Sequence, residues 1–401
     1  MIWYGLTVSL RATPLQRSAA LKFIVCLGVV SLFADMTYEG AHSIIGPFLK
    51  DLGASATQVG LIAGFGEMCA ASLRLFSGRF ADRTRAYWAI CIFGYAINLI
   101  VVPALAFAGS WQIAALLLIA ERIGKSLRGP ARDVLLSDAT GAVGHGWGFG
   151  LHAAFDQTGA VLGPLMVAAA VAQSNHFGPA FLRLAIPAAV AFIALFVARA
   201  INPPSVTAAP AKGVREVLPR VFWVYVAAAG MLARGFVDFP LLAYHFQKTA
   251  LLRPATIPLL YAGAIGMNGI AALVFGRLFD RYGIVVLVGG ILLSVAALPL
   301  GFQGGPRAIM TSVALWGLGV GAQDACLRSG IAQVVSMNKR GGAFGVYNAI
   351  YGVMWFAGSA AMGLLYDHSV LALVVFGVAG QLLAAAMFLW IRRPLANAVS
   401  T

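Results

Sequence analysis

The chain has 401 residues, of which 60% are hydrophobic and only 10% charged, and a formal net charge of +14. A soluble domain carries roughly a quarter charged residues, so this composition excludes a single large water-soluble core. The positive charge invites a nucleic-acid reading, but the basic residues stand in small groups between long apolar runs, as the positive-inside rule expects of cytoplasmic loops.

Twelve runs of about the 20 residues that a helix needs to cross a bilayer follow in order. They cover 20–46, 56–77, 87–108, 111–136, 144–172 and 178–200, then 221–247, 255–276, 283–303, 307–334, 341–366 and 369–391. Met1 to Ala20 contains Arg11 and Arg17, and no small-residue cleavage site follows the first apolar run. Span 1 therefore reads as a retained helix rather than a signal peptide. Between spans 6 and 7 lies INPPSVTAAPAKGVREVLPR, polar and proline-rich, a linker by composition. The expected fold is an all-α membrane protein with a six-helix bundle over 1–200, a cytoplasmic linker over 201–220 and a second six-helix bundle over 221–401. With both termini in the cytoplasm, 21 of the 28 Lys and Arg fall on that side and five on the other. That asymmetry sets the orientation in an inner, cytoplasmic membrane.

Span 1 holds Asp35 and Glu39, four residues apart and so on one helix face. An ionisable side chain inside a span costs about 3 kcal/mol on insertion scales and is a functional candidate by default. Two carboxylates this close repel when both are ionised, a reason to expect one of them to exchange a proton. The following GAHSIIGP could instead bring Glu39 to the outer mouth, where it would be hydrated. Glu67 stands mid-span in GFGEMCA of span 2, placed to carry a proton, meet a cationic group or neutralise a buried arginine.

The loop after span 2 reads GRFADRTR (78–85), and GRLFDRYG (276–283) repeats it at an offset of 198, which also superimposes Phe48 and Lys50 on Phe246 and Lys248. FGLHAAFDQTGAVLG (149–163) matches FGVYNAIYGVMWFAG (344–358) at an offset of 195. Repeats in register over most of a chain mark internal duplication. The paired loops resemble the G-x-x-x-D-R-x-G-R signature of the major facilitator superfamily. Gly78, Asp82 and Arg83 fit in the first copy, where Arg85 replaces the usual Gly; Gly276, Asp280, Arg281 and Gly283 fit in the second. The resemblance implies a secondary transporter working by alternating access. It also implies that these loops form a latch that closes the cytoplasmic side in the outward-facing state. Candidate partners are Asp133, Asp138 and the helix start near Gly341.

Span 4 contains ERIGKSLRGPARD, in which Glu121, Lys125, Arg128 and Arg132 fall along one helical stripe, with Arg122 and Asp133 on another face. Lys125, Arg128 and Arg132 read as inner-end anchors or, on the other reading, as a cationic vestibule for anions. IAERIGK resembles the family's span-4 motif, which places a proton-coupling arginine at Arg122; a carboxylate proton carrier on span 1 belongs to the same theme. Span 5 carries His152 and Asp156, then GAVLGP with Gly159, Gly163 and Pro164. That element resembles one that recurs in the family's antiporters, and its small residues suit close packing against the other half.

In the second half, Arg234 with Asp238 and Asp324 with Arg328 are i,i+4 pairs that can neutralise themselves. Most aromatic residues, among them Tyr38, Phe236, Tyr261 and Trp355, read as packing; only Tyr347 and Tyr351, with Asn348, are assigned to a cavity. The four cysteines lie in apolar runs with no metal spacing and read as buried thiols. No GxxxxGK[ST], Ser-His or metal-ligand pattern occurs, so an enzyme, a channel, a cofactor or ATP as energy source is not expected. The expected proton-coupling set is Asp35, Glu39, Arg122 and Asp156. The expected substrate-binding set is Glu67, Arg122, His152, Arg234, Asp238, Tyr347, Asn348 and Tyr351. The function expected is proton-coupled export of a small organic compound by a lipid-embedded monomer; the alternative is a proton-coupled importer or exchanger of an anionic metabolite.

Overall fold

The computed structural model describes residues 14–141, 143–201, 218–335 and 340–392; most of the expected linker, 202–217, lies outside the described residues. Those residues are helical almost throughout and contain no strand. Span 1 is α1 (Pro14–His42) with α2 (Ile45–Asp51), span 2 is α3 (Ala56–Thr84), and span 3 is α4 (Tyr87–Ala104) with a 3-10 turn at Leu105–Phe107. Spans 4 and 5 are α5 (Trp111–Thr140) and α6 (His145–Ser174), and span 6 is α7 (Gly178–Arg183) with α8 (Ala185–Ile201). Span 7 breaks into α9 (Arg220–Gly235) and α10 (Phe239–Thr249), followed by α11 (Thr256–Tyr282) as span 8. Span 9 is α12 (Val285–Val295) with α13 (Ala297–Gln303); α14 (Pro306–Val334), α15 (Arg340–His368) and α16 (Val370–Trp390) complete the twelve.

Local chemistry places these ends. Ser55, Ser110 and Ser369 cap α3, α5 and α16, each accepting from the backbone N–H three residues on, and Gln58 returns the bond to Ser55 in a capping box. Ten of the spans are long and apolar enough to cross a membrane by length and composition. The other two, α5 and α14, are as long but carry the polar groups described below. They are the fourth and tenth spans, equivalent places in the repeat.

Within the first half α1 packs on α6 and α8, and α4 on α5; within the second, α9 packs on α15 and α16, and α11 on α14. The main contacts across are α3 with α15, α6 with α11, and α2 with α10. Gly159 and Gly163 lie directly on the α1 backbone at Leu32 and Met36, where any Cβ would collide with carbonyl oxygens. Their partner is thus α1 of the same half, which corrects the expectation that GAVLGP packs against the other half; Pro164 is buried beside them. The repeat is visible in this contact, because Gly358, the counterpart of Gly163, lies on α9 at Arg234, the counterpart of Met36.

Polar contacts between the halves gather at one end. Asp367, at the end of α15, accepts from the backbone N–H of Ala56 (3.2 Å) and Thr57 (2.9 Å) and from the Thr57 hydroxyl (2.7 Å). Gly46 of α2 abuts the backbone of Pro240 and Tyr244 on α10. Deeper in, Gln157 Nε2 donates to the carbonyl of Ile265 at 2.6 Å. At the opposite end Asp82, Arg83, Asp280 and Arg281 are exposed, and among the described residues none of them makes a hydrogen bond or ion pair across the halves. Asp82 instead accepts from Tyr87 at 3.1 Å, and Asp133, one expected latch partner, pairs with Arg132 on its own helix at 2.9 Å. Gly78 faces Pro130 of α5, and Gly276 faces Ala325 of α14. The bundle is therefore closed at the α2/α10 end, with the two loops of the repeat unengaged.

Gly163→Val should lower thermal stability in detergent by about 2 kcal/mol, the usual cost of overpacking. Gly150→Ala on the same helix, where an added methyl meets nothing within 4 Å, should leave the melting temperature unchanged. Equal melting of the two variants would contradict the backbone contact.

Candidate substrate and coupling site

Between the halves lies a cavity of about 420 Å³, within the range of small-molecule sites. Its first-half wall is Tyr38, Glu39 and His42 of α1, Glu67 of α3 and Lys125 of α5. Its second-half wall is largely aromatic: Phe236, Tyr261, Trp316, Tyr351 and Trp355, with Asp238 in their midst. Gln323, Asp324 and Arg328 of α14 complete it.

α5 builds the first wall. The helix turns four cations toward its neighbours, and each meets a carboxylate from another helix. Arg122 Nη1 lies 2.6 Å from Glu67 Oε1 on α3, and Lys125 Nζ lies 3.8 Å from Glu39 Oε1 on α1. Arg128 Nη2 lies 3.5 Å from Asp35 Oδ1 on α1, and Arg132 Nη1 lies 3.8 Å from Asp156 Oδ2 on α6. Along α1 the partners ascend as Ser31, Asp35, Glu39 and His42 while those on α5 descend as Arg132, Arg128, Lys125 and Arg122. This is an antiparallel ladder with about one helical turn per rung. Such matching is what a membrane interior demands, because an unpaired buried charge is the costly state.

Secondary contacts fix the rungs. Arg122 also donates to the Tyr38 hydroxyl and meets His42 Nδ1 at 3.0 Å. Lys125 Nζ stands 3.2 Å above the Tyr38 ring, and the Arg128 guanidinium lies 4.4 Å from the ring centre of Tyr95, a favourable cation–π placement. Glu39 accepts from the Tyr261 hydroxyl at 2.6 Å, a bond that crosses from α1 to α11. At the far end His152 bridges Ser31 (3.0 Å) and Asp156 (3.4 Å).

The break between α9 and α10 builds the second wall. Its freed carbonyls find side chains: Trp316 Nε1 donates to Val237 O at 2.9 Å, and Gln381 Nε2 to Gly235 O at 3.1 Å. Irregular backbone at membrane depth is stable only when protein satisfies it in this way. Phe236 then lies 6.1 Å from Trp316 and 6.0 Å from Trp355, ring centre to ring centre, and Trp355 lies 5.8 Å from Tyr351.

Several expectations change. Arg122 joins the stripe of Lys125, Arg128 and Arg132, while Glu121 accepts from Asn98 of α4 and lies 3.6 Å from Arg122 Nε. Arg128 is buried and paired, so it is no inner-end anchor. Glu39 is held in the cavity wall by Tyr261 and does not stand at an outer mouth. Arg234 and Asp238 do not pair, because α9 ends between them; Arg234 lies over the Phe376 ring (4.7 Å) in a separate groove against α16, outside the cavity. Asp324 and Arg328 both face the cavity and form no ion pair among the described residues. Tyr351 lines the cavity, whereas Tyr347, Asn348, His152, Asp35 and Asp156 stand outside its lining. Cys26 and Cys69 are only half-buried, and all four thiols are free. Tyr38, Phe236, Tyr261 and Trp355, expected as packing, line the cavity, and His42 and Trp316 were missed, though His42 lies on the helix face already marked by Asp35, Tyr38 and Glu39.

Comparison with known proteins agrees with this architecture. The family model described as Major Facilitator Superfamily matches residues 27–283 and 236–400. An uncharacterised protein of Mycobacterium tuberculosis is 39% identical over 385 residues, covering 94% of each chain. An uncharacterised MFS-type transporter of Methanocaldococcus jannaschii is 22% identical over 381 residues, covering 92% of this chain and 95% of its own. In fold, the crystal structure of the nucleoside transporter NupG superposes with a TM-score of 0.74 at 12% identity, covering 92% of this chain and 98% of that one.

Arg128→Gln should cost about 3 kcal/mol or more by leaving Asp35 as an uncompensated charge, and the double variant with Asp35→Asn should recover most of it. Thermal unfolding of the two single variants and the double variant measures this. A coupling within about 0.5 kcal/mol of zero would mean that the rung is not a working pair.

Proposed function

Because this chain belongs to the Major Facilitator Superfamily, and is therefore a multi-pass membrane transporter rather than an enzyme, we propose that it exports a small organic compound in exchange for protons. The observation that carries this reading is Glu39, which lines the cavity, pairs with Lys125 on its own side and accepts from Tyr261 of the other half. A proton arriving on Glu39 cancels its charge, frees Lys125 and weakens a bond between the halves, so protonation, cargo and conformation share one side chain. Asp35, one turn away and paired with Arg128, is the second carrier, with Arg122 and Asp156 setting the charge around them.

In the proposed orientation both termini and the loops at Asp82 and Asp280 face the cytoplasm. Two six-helix halves, 1–200 and 221–401, rock about the cavity as a monomer in the cytoplasmic membrane. Closure at the α2/α10 end then makes this conformation inward-facing, with the latch loops engaging in the opposite state. The anion importer finds less support. The cations of α5 are already matched by carboxylates, which leaves few positive groups for an anionic cargo.

In everted vesicles, uptake of a transported compound should collapse on adding a protonophore. Asp35→Asn and Glu39→Gln should each slow gradient-driven uptake by about tenfold or more, the loss expected from one charged hydrogen bond. Uptake indifferent to the protonophore and to both substitutions would overturn proton coupling.

A further inference from the structure

The charges around the cavity do not balance. Its lining carries four carboxylates, Glu39, Glu67, Asp238 and Asp324, against two cations, Lys125 and Arg328. Arg122, just behind the wall, is taken up by Glu67 and Glu121. Glu39 has Lys125; Asp324 makes no ion pair among the described residues but feels the charge of Arg328, one turn on along the same helix. Asp238 has no cation within ion-pair distance, and Arg122, whose charge it feels, is already held by Glu67 and Glu121. Asp238 is 6% exposed, lines the cavity and makes no ion pair among the described residues; its one hydrogen bond is from Trp355 Nε1 at 3.4 Å.

Its surroundings suit a particular kind of charge. Phe236, Trp316, Trp355 and Tyr351 form a continuous wall of rings with neighbouring centres about 6 Å apart. Ring faces attract cations, and weakly hydrated organic ammonium groups most of all, because they give up little water on entering an apolar cage. A metal ion would require several oxygen or nitrogen donors converging on one point, and a wall of rings offers none. An anion would meet the unpaired carboxylate directly.

We propose that Asp238 and the Phe236–Trp316–Trp355–Tyr351 wall form a subsite for the positively charged nitrogen of a monovalent organic cation, which makes the cargo a cationic amphipathic compound. The cation supplies the charge that the cavity lacks, and its apolar body occupies the remaining volume. This assignment rests on reading the cavity as the transport site, and it does not depend on how transport is energised.

Equilibrium binding to the purified full-length protein in detergent, with no ion gradient, separates the two. The probes are benzyltrimethylammonium, the neutral N-oxide of benzyldimethylamine, and benzylsulfonate, followed by calorimetry and by quenching of tryptophan fluorescence. The cation should bind at least about tenfold more tightly than either of the others, and Asp238→Asn should remove about that factor. Asp238→Glu should keep most of it, and Arg234→Gln, outside the cavity, should change nothing. Should Asp238→Asn not fold, Trp355→Leu carries the test, with a loss of severalfold in cation affinity alone. Equal binding of the three probes, tighter binding of the sulfonate, no binding of any of them, or cation affinity unmoved by these substitutions overturns the subsite. Cation binding without protonophore-sensitive transport would overturn proton coupling and leave the subsite standing; protonophore-sensitive transport with no cation preference would do the reverse.

Discussion

The arrangement depends on one constraint: four cations on α5 lie at membrane depth and must each be met. Two charges 4 Å apart attract by about 4 kcal/mol at an effective dielectric of 20, and a cation without its partner keeps the cost of leaving water. Arg122, Lys125, Arg128 and Arg132 therefore dictate where α3, α1 and α6 stand, since each must deliver a carboxylate to its rung. The glycine contacts of α6 serve the same end, letting Asp156 approach by drawing α6 onto the α1 backbone. Through Glu39 the ladder also reaches α11, so the electrostatics of the first half are tied to the position of the second.

The two halves descend from one repeat but have diverged in chemistry. The first presents ion pairs to the cavity, and the second presents rings together with Asp238, Asp324 and Arg328, which form no ion pair among the described residues. Gly163 on α1 and Gly358 on α9 keep the same packing contact, so the backbone repeat survives where the side-chain chemistry does not. Close backbone approach needs the same small residue in both copies, whereas the groups lining the cavity face different demands on its two sides.

Spans, repeat and loop signatures were legible in the sequence because each is written locally, in runs of apolar residues or in short glycine-containing motifs. Asp35, Glu39, Glu67, Arg122 and Asp156 stood out because a charge in an apolar run is conspicuous on its own. Their partners were not legible, since Glu67 and Arg122 lie 55 residues apart in sequence and meet only through helix packing. The same limit explains Arg234 and Asp238, whose four-residue spacing implies a pair only if the helix continues, and it stops at Gly235. Aromatic residues were the hardest. Nothing in an apolar sequence distinguishes Trp316 or Tyr261 in a cavity wall from Phe222 or Tyr225 in the packed interior.

The interruption of span 7 has a mechanical side. α9 answers to α15 and α16 of its own half, while α10 leans on α2 and α3 of the other. With 83% of its apolar window buried, against 33–50% for the other nine such spans, this is a central column and not a lipid-facing one. A column whose two lengths are fastened to different bodies is a joint. Any swing of one half against the other must either flex the three residues Phe236, Val237 and Asp238 or pull α10 off α2. The carbonyls of that joint are held by Trp316 and Gln381, so its stiffness is set by side chains that can be changed one at a time without touching a charge.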